Sequence, residues 1–160
     1  NPLKHKMTEQ INELAGRGAR LGAVIIDSLI IFPILIGIAM ITGFWDDFLP
    51  RMASGIPLAP KENLIIFLVG QSTFLILNGS FLANYGQTIG KRIMKIKIVD
   101  MAGNNLGIIK LYSLRYLVFS LISQIPVAGG LISLINVLFI FGNHKRCLHD
   151  RLAGTQVIKT

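Results

Sequence analysis

Three long stretches of this chain are almost free of charge, and they decide most of what it can fold into. Residues 21–45 carry one charged side chain, Asp27; residues 63–90 carry none; residues 116–144 carry none with His144 neutral. A bilayer core about 30 Å thick is crossed by about 20 apolar residues in a helix. Each run is long enough. A water-soluble domain usually carries about 25% charged residues, whereas this chain carries 15%, with 52% hydrophobic residues and a mean hydropathy of +0.60. The expectation is an all-α membrane protein: a single domain with a bundle of three to four membrane helices and a small cytoplasmic β element.

The basic residues set the orientation. Lys4, Lys6, Arg17 and Arg20 precede the first run; Lys91, Arg92, Lys95, Lys97, Lys110 and Arg115 separate the second from the third; Lys145, Arg146, Arg151 and Lys159 follow. The loop between runs one and two holds Arg51 and Lys61 against Asp46, Asp47 and Glu62. Lysine and arginine gather in cytoplasmic loops, so this net-acidic loop faces outward, the N-terminus faces the cytoplasm, and the basic tail is expected there too if the last run folds back. The net charge of +8 is therefore read as topology and not as a nucleic-acid surface. Residues 1–16 are polar and show no apolar core followed by a cleavage site, so the first run is expected to act as both targeting signal and anchor. The single cysteine, Cys147, allows no internal disulfide.

Periodicity places the elements. Leu3, Met7, Ile11 and Leu14 recur at helical spacing, predicting an amphipathic cytoplasmic helix within residues 1–16. The first membrane helix spans residues 21–41, with Pro33 expected to kink it. In the outer loop Phe44, Trp45 and Phe48 are candidate interface anchors, and Pro50, Pro57 and Pro60 argue against a long helix. The second membrane helix spans residues 64–83. The cytoplasmic segment 86–110 contains the alternating Lys95-Ile96-Lys97-Ile98-Val99 and an Ala-Gly-Asn-Asn turn signal at 102–105. Residues 155–158, in the tail 143–160, also read as a strand, and a small sheet can join the two. Residues 111–141 are either one tilted helix or a hairpin broken near Gln124–Gly130, where proline and paired glycines interrupt the pattern. A single crossing would put the basic tail outside. A hairpin keeps it inside.

The polar residues within these runs are the candidate site. Arg20 and Asp27 are seven residues apart, so they share a helix face about 10 Å apart along the axis. The arginine can snorkel to the interface. A carboxylate at membrane depth costs at least about 2.5–3.5 kcal/mol at the helix centre, so it must be paired, protonated or facing water. Gln71 and Asn78 share a face of the second run and could meet Asp27; such stripes also serve as ordinary interhelical hydrogen bonds. His144, Cys147, His149 and Asp150 match no zinc pattern, and Asp150 with Arg151 reads as a cytoplasmic polar network. Gly86-Gln87-Thr88-Ile89-Gly90-Lys91 falls short of a phosphate loop in spacing and lacks the following Ser or Thr. No nucleophile is visibly set beside a histidine base. Neither an enzyme nor a metal, cofactor or nucleic-acid partner is expected.

Three segments in this order resemble the RDD family of small bacterial membrane proteins. They are Arg20 with Asp27, Gly86–Arg92 followed by Ile96–Asp100, and Leu148–Val157. The resemblance covers about residues 14–159. It implies that Arg20, Asp27 and Asp150 are the family's arginine and two aspartates, with Arg17 competing with Arg20 for the arginine's role. If the three act as a unit, Asp150 must reach the inner end of the first helix, which favours the hairpin. The family also implies a bacterial inner-membrane location, and transport, including cation/proton antiport, has been proposed for members.

Two functional expectations follow. In the first, the protein is a small transporter or transport-associated protein: Arg20, Asp27, Asp150, Gln71 and Asn78 hold a small cation or proton, and Arg20 tunes Asp27, since a guanidinium lowers a carboxylate's pKa while burial raises it. Few helices for a transporter point to a homo-oligomer. In the second, the charged cluster is structural and the protein is a membrane partner, assembly factor or lipid-binding subunit, with Lys91, Arg92, Lys95 and Arg115 on anionic headgroups.

Overall fold

The computed structural model describes residues 13–125, 129–132, 135 and 147–160. Two long helices dominate: α1, Arg17–Ile41, and α3, Pro60–Tyr85. Both are long and apolar enough to cross a membrane, and at 1.5 Å per residue each spans about 38 Å. Their outward surface is what lipid favours and water does not: Phe32 is 66% exposed and Ile76 81%, while Asn78 is buried on the inner face of α3. α1 runs on through Pro33. Pro60 opens α3 at a position where its missing N–H costs nothing.

A short helix, α2 (Phe44–Ala53), links them, entered through Gly43 in the left-handed conformation. The proline-rich loop is thus shorter on coil than expected, since α2 carries Pro50 inside it. Phe44 and Phe48 stack on each other and Trp45 meets both edge-to-face, with centroids 5.0–5.7 Å apart. Arg51 donates to Glu62 at 2.7 Å, tying α2 to the first turn of α3.

At the opposite end lies the β element. β1 (Ile96–Asp100) pairs antiparallel with β2 (Thr155–Lys159), from Ile96 opposite Lys159 to Asp100 opposite Thr155. Residues 13–15 line the other edge of β2: Leu14 bridges Ile158, the Ala15 N–H donates to the Val157 carbonyl, and the Lys159 N–H to the Glu13 carbonyl. Leu14 is therefore in extended backbone and not in the amphipathic helix that its spacing predicts; Leu3, Met7 and Ile11 lie outside the described residues. Ala15, Ala23, Leu82, Ile96, Ile98, Leu111 and Val157 form the buried core under this sheet. The turn after β1 is held by the Asp100 carboxylate, which accepts from the Ala102 and Asn104 N–H groups at 2.8 Å each.

Between α3 and β1 comes α4, Ile89–Ile93. After β1, a helical rod begins with α5 (Ile108–Tyr112), widens into a π-helical turn (Ser113–Leu117) and closes with α6 (Val118–Ile122). It ends there: the N–H groups of Gln124 and Ile125 bond three residues back, to Leu121 and Ile122. Gly129 then packs against the Ile122 and Ser123 carbonyls so closely that a Cβ would lie 2.5 Å from the Ser123 oxygen. Most of 126–146, where one crossing and a hairpin would differ, lies outside the described residues. Described structure resumes with α7, Leu148–Leu152, which leads into β2.

Candidate functional site

The polar residues at the sheet end form two separate constellations. The first is a buried ion network. Arg20, at the start of α1, donates to Asp150 Oδ2 at 3.3 Å and to the Val157 carbonyl at 3.1 Å. Arg115 forms a second ion pair with Asp150 through Oδ1 and donates to Thr155 Oγ1 at 2.9 Å. Asp150 itself is 0% exposed. Arg115 reaches it from the π-helical turn, whose extra residue rotates the side chain relative to a regular helix. One carboxylate on α7 thus ties α1 to the third helical rod, and its two arginines reach on to β2. Of the two arginines near the start of α1, Arg20 takes this position, and Arg17 is exposed.

The second constellation surrounds Asp27, in the second turn after Arg20. Thr88 Oγ1 donates to Asp27 Oδ2 at 2.5 Å, and the Gly90 N–H donates to Oδ1 at 2.7 Å. Asn78 Oδ1 accepts from the neighbouring Ile89 N–H at 2.9 Å. Asp27 on α1 and Asn78 on α3 therefore hold opposite sides of one short turn, and Thr88 caps it by accepting from the Lys91 N–H. Gly90 is forced by this docking: a Cβ would sit 2.1 Å from the Ala23 carbonyl. Gly86, at φ +63, has a similar constraint from the Ile98 carbonyl. The segment that looked like a defective phosphate loop is a wedge between two long helices, with the Ile89 and Gly90 N–H groups already given to protein acceptors.

The expected unit of Arg20, Asp27 and Asp150 is thus divided. Arg20 and Asp150 meet. Asp27 makes no ion pair among the described residues, and the hydrogen bonds it accepts come from neutral donors. Gln71 accepts from Tyr112 Oη at 2.6 Å, and neither it nor Asn78 bonds to Asp27. Two of the residues expected on lipid headgroups are inside the protein. Arg115 is 6% exposed and Lys91 7%, because each follows its helix inward toward a polar partner. Arg92 and Lys95 do face outward; the Arg92 guanidinium lies 5.2 Å from the Phe81 ring centre and 4.9 Å from that of Tyr85.

A cavity of about 300 Å³ adjoins Asp27. Its lining is mostly apolar, with Val24, Ile31, Phe32, Leu35 and Phe74 around Asp27, Ser28, Lys91 and Tyr116, and it opens to the surface beside the exposed Val24 and Phe32. Lys91 Nζ donates to Tyr116 Oη at 3.3 Å and lies 5.8 Å from the centre of that ring. Thr88 and Tyr116 were missed as site residues in the sequence. Thr88 had a readable signal, a threonine directly before a short helix; Tyr116 had none, since only the packing of the third rod brings it to Lys91. At the edge of the ion network, burial and the Asp150 carboxylate push the Cys147 thiol up, against the opposing pull of Arg115, Arg20 and Lys91.

Long apolar helices with lipid-type surfaces, over a small sheet pinned by buried charges, define a membrane protein. Its RDD profile match spans residues 14–154, and the chain belongs to the RDD family. It is also 33% identical over 144 residues to the "Uncharacterized protein YckC" of Bacillus subtilis (strain 168), covering 89% of this chain and 83% of that one. No solved structure matches it.

Proposed function

We propose that this protein is a small multi-pass transporter of the bacterial inner membrane that exchanges a cation for protons at Asp27. The observation that carries the reading is the cavity: the carboxylate within α1 is half-buried and lines a space large enough for an ion and its water, which Ser28 and Tyr116 also line. A carboxylate has about four lone-pair positions, and Thr88 and Gly90 occupy two. The rest can hold a proton or a hard cation. Asp150 has the opposite character, and the structural reading of the Arg/Asp cluster applies there: it is enclosed between two arginines and serves the fold.

The topology supporting this has both termini in the cytoplasm. α1 leaves the sheet end and α3 returns to it, where the Gly86 carbonyl accepts from Ile98. The chain also leaves that end after Leu106 and is back at Asp150, beside Arg20. An even number of crossings between them, a hairpin over residues 111–141, satisfies both this and the basic excess on that side. So few helices favour a homo-oligomer as the working unit.

The test is cation-driven pH change in proteoliposomes, comparing wild type with Asp27→Asn. Exchange by wild type that is lost in a folded Asp27→Asn protein supports the reading. Wild type that moves no protons with any alkali cation sinks it, and leaves a membrane partner or assembly role with a purely structural charge cluster.

A further inference from the structure

Lys91 is the charged residue whose placement the reading above does not use. Its side chain is almost wholly buried, and a buried ammonium needs a counter-charge or full hydrogen bonding. It carries three donors; among the described residues one goes to the neutral Tyr116 phenol. Asp150 is committed to Arg20 and Arg115. The carboxylate that shares the cavity with Lys91 is Asp27. The two are also close along the backbone: the Gly90 N–H binds Asp27, and the Lys91 N–H binds Thr88, whose hydroxyl donates to Asp27. The ammonium thus hangs on a flexible four-carbon stem rooted in the turn that Asp27 holds.

We infer that Lys91 is a tethered cation that competes with the transported cation for the Asp27 carboxylate, with Tyr116 as the resting acceptor to which the displaced ammonium withdraws. The inference rests on Asp27 being an exchange site. Two positive charges a few ångströms apart in a partly buried site repel strongly, so ion entry requires Lys91 to stand back at Tyr116. Loss of the ion lets the ammonium swing toward the carboxylate, which keeps the empty site neutral. Lys91 would therefore set how tightly a monovalent ion is held and help expel it, while Asp27 provides the binding.

The test is titration of the purified full chain with Na⁺, Li⁺ and K⁺ at constant ionic strength in choline chloride, followed by calorimetry. Lys91→Gln removes the competitor and is expected to tighten binding by on the order of a hundred- to a thousandfold, the scale of one unscreened charge about 4–6 Å away at an effective dielectric constant of about 20. Lys91→Arg keeps the charge and should stay near wild type. Tyr116→Phe removes the resting acceptor and should weaken binding, the opposite sign. Equal affinity in Lys91→Gln and wild type overturns the competition and leaves Asp27 as the site. If Lys91→Gln does not fold, unchanged affinity in Tyr116→Phe overturns it instead. Absence of saturable binding in both wild type and Lys91→Gln, or binding that survives Asp27→Asn, overturns this inference and the exchange reading together.

Discussion

Asp27 and Asp150 are the same side chain in two opposite settings. Asp150 is fully enclosed and neutralised by two guanidinium groups. Asp27 is half-buried, held by a hydroxyl and a backbone N–H, and borders a cavity. Two arginines beside a carboxylate fix its charge and its position; a cation would have to displace covalently anchored competitors from a closed site. Two neutral donors fix position and supply no counter-charge. The contrast teaches that a charged residue inside a membrane domain is read by its partners and its access, not by its depth.

The largest expected effect comes from breaking the enclosed member. Asp150→Asn leaves Arg20 and Arg115 buried without their carboxylate, and removing one partner of a buried ion pair costs about 3–5 kcal/mol. Thermal or denaturant unfolding in detergent should show that loss; a change under about 1 kcal/mol would mean the network is not the latch between α1 and the C-terminal strand. Next is Gly90→Ala, where the added methyl meets the Ala23 carbonyl. Overpacking of this kind costs about 1–3 kcal/mol, and because the wedge carries Thr88 and Lys91 it should impair exchange as well as stability. Asp27→Asn sharpens the comparison most: an amide oxygen still accepts hydrogen bonds, so the stability loss should stay below about 3 kcal/mol, the upper range for a bond to a charged group, while exchange disappears. If Asp27→Asn destabilises more than Asp150→Asn, the division between the two carboxylates is wrong.

Two smaller effects probe the sheet end. The Asp100 carboxyl is held below the usual carboxylate range, chiefly by the Asn104 N–H, with desolvation opposing and the Asn104 side chain and Ala102 N–H adding to it. A depressed folded-state pKa means its stabilising contribution is present above the ordinary carboxylate pKa and is lost as pH falls through the folded value. Asp100→Asn should therefore lower stability slightly near neutral pH and leave it unchanged in acid, which flattens the acid limb of the stability curve. The raised Cys147 thiol should alkylate more slowly at neutral pH than a free cysteine, and reach the free rate once the protein is unfolded.

Much of the fold could be read from residue order because its causes are local. Hydrophobic runs mark α1 and α3; alternation marks β1; the Asn-rich turn marks where β1 ends. The pairing of β1 with β2 was open to the sequence as well, since both segments have strand character and can pair if they lie on the same side. Leu14 misled because four apolar residues at helical spacing fit an amphipathic helix, and only the open edge of β2 could recruit residues 13–15 into extended pairing. Arg115 and Lys91 misled for a related reason. Basic residues beside a membrane run usually stay at the surface, and nothing local shows that one will be turned inward by a π-helical turn and the other by a glycine-docked wedge.

By itself the sequence determined that two runs form lipid-compatible helices, that a short β element follows them, and that Arg20, Asp27 and Asp150 are its unusual charges. Those follow from hydropathy and spacing, which act over one turn or one strand. The tertiary structure alone decided which charge meets which. Arg20 and Asp150 are separated by 130 positions, and Asp27 and Gly90 by 63, so no local pattern encodes either contact. They arise because the sheet returns the chain's end to the start of α1, and because a residue without a Cβ lets α4 approach α1 closely enough to leave Asp27 facing a cavity instead of an arginine.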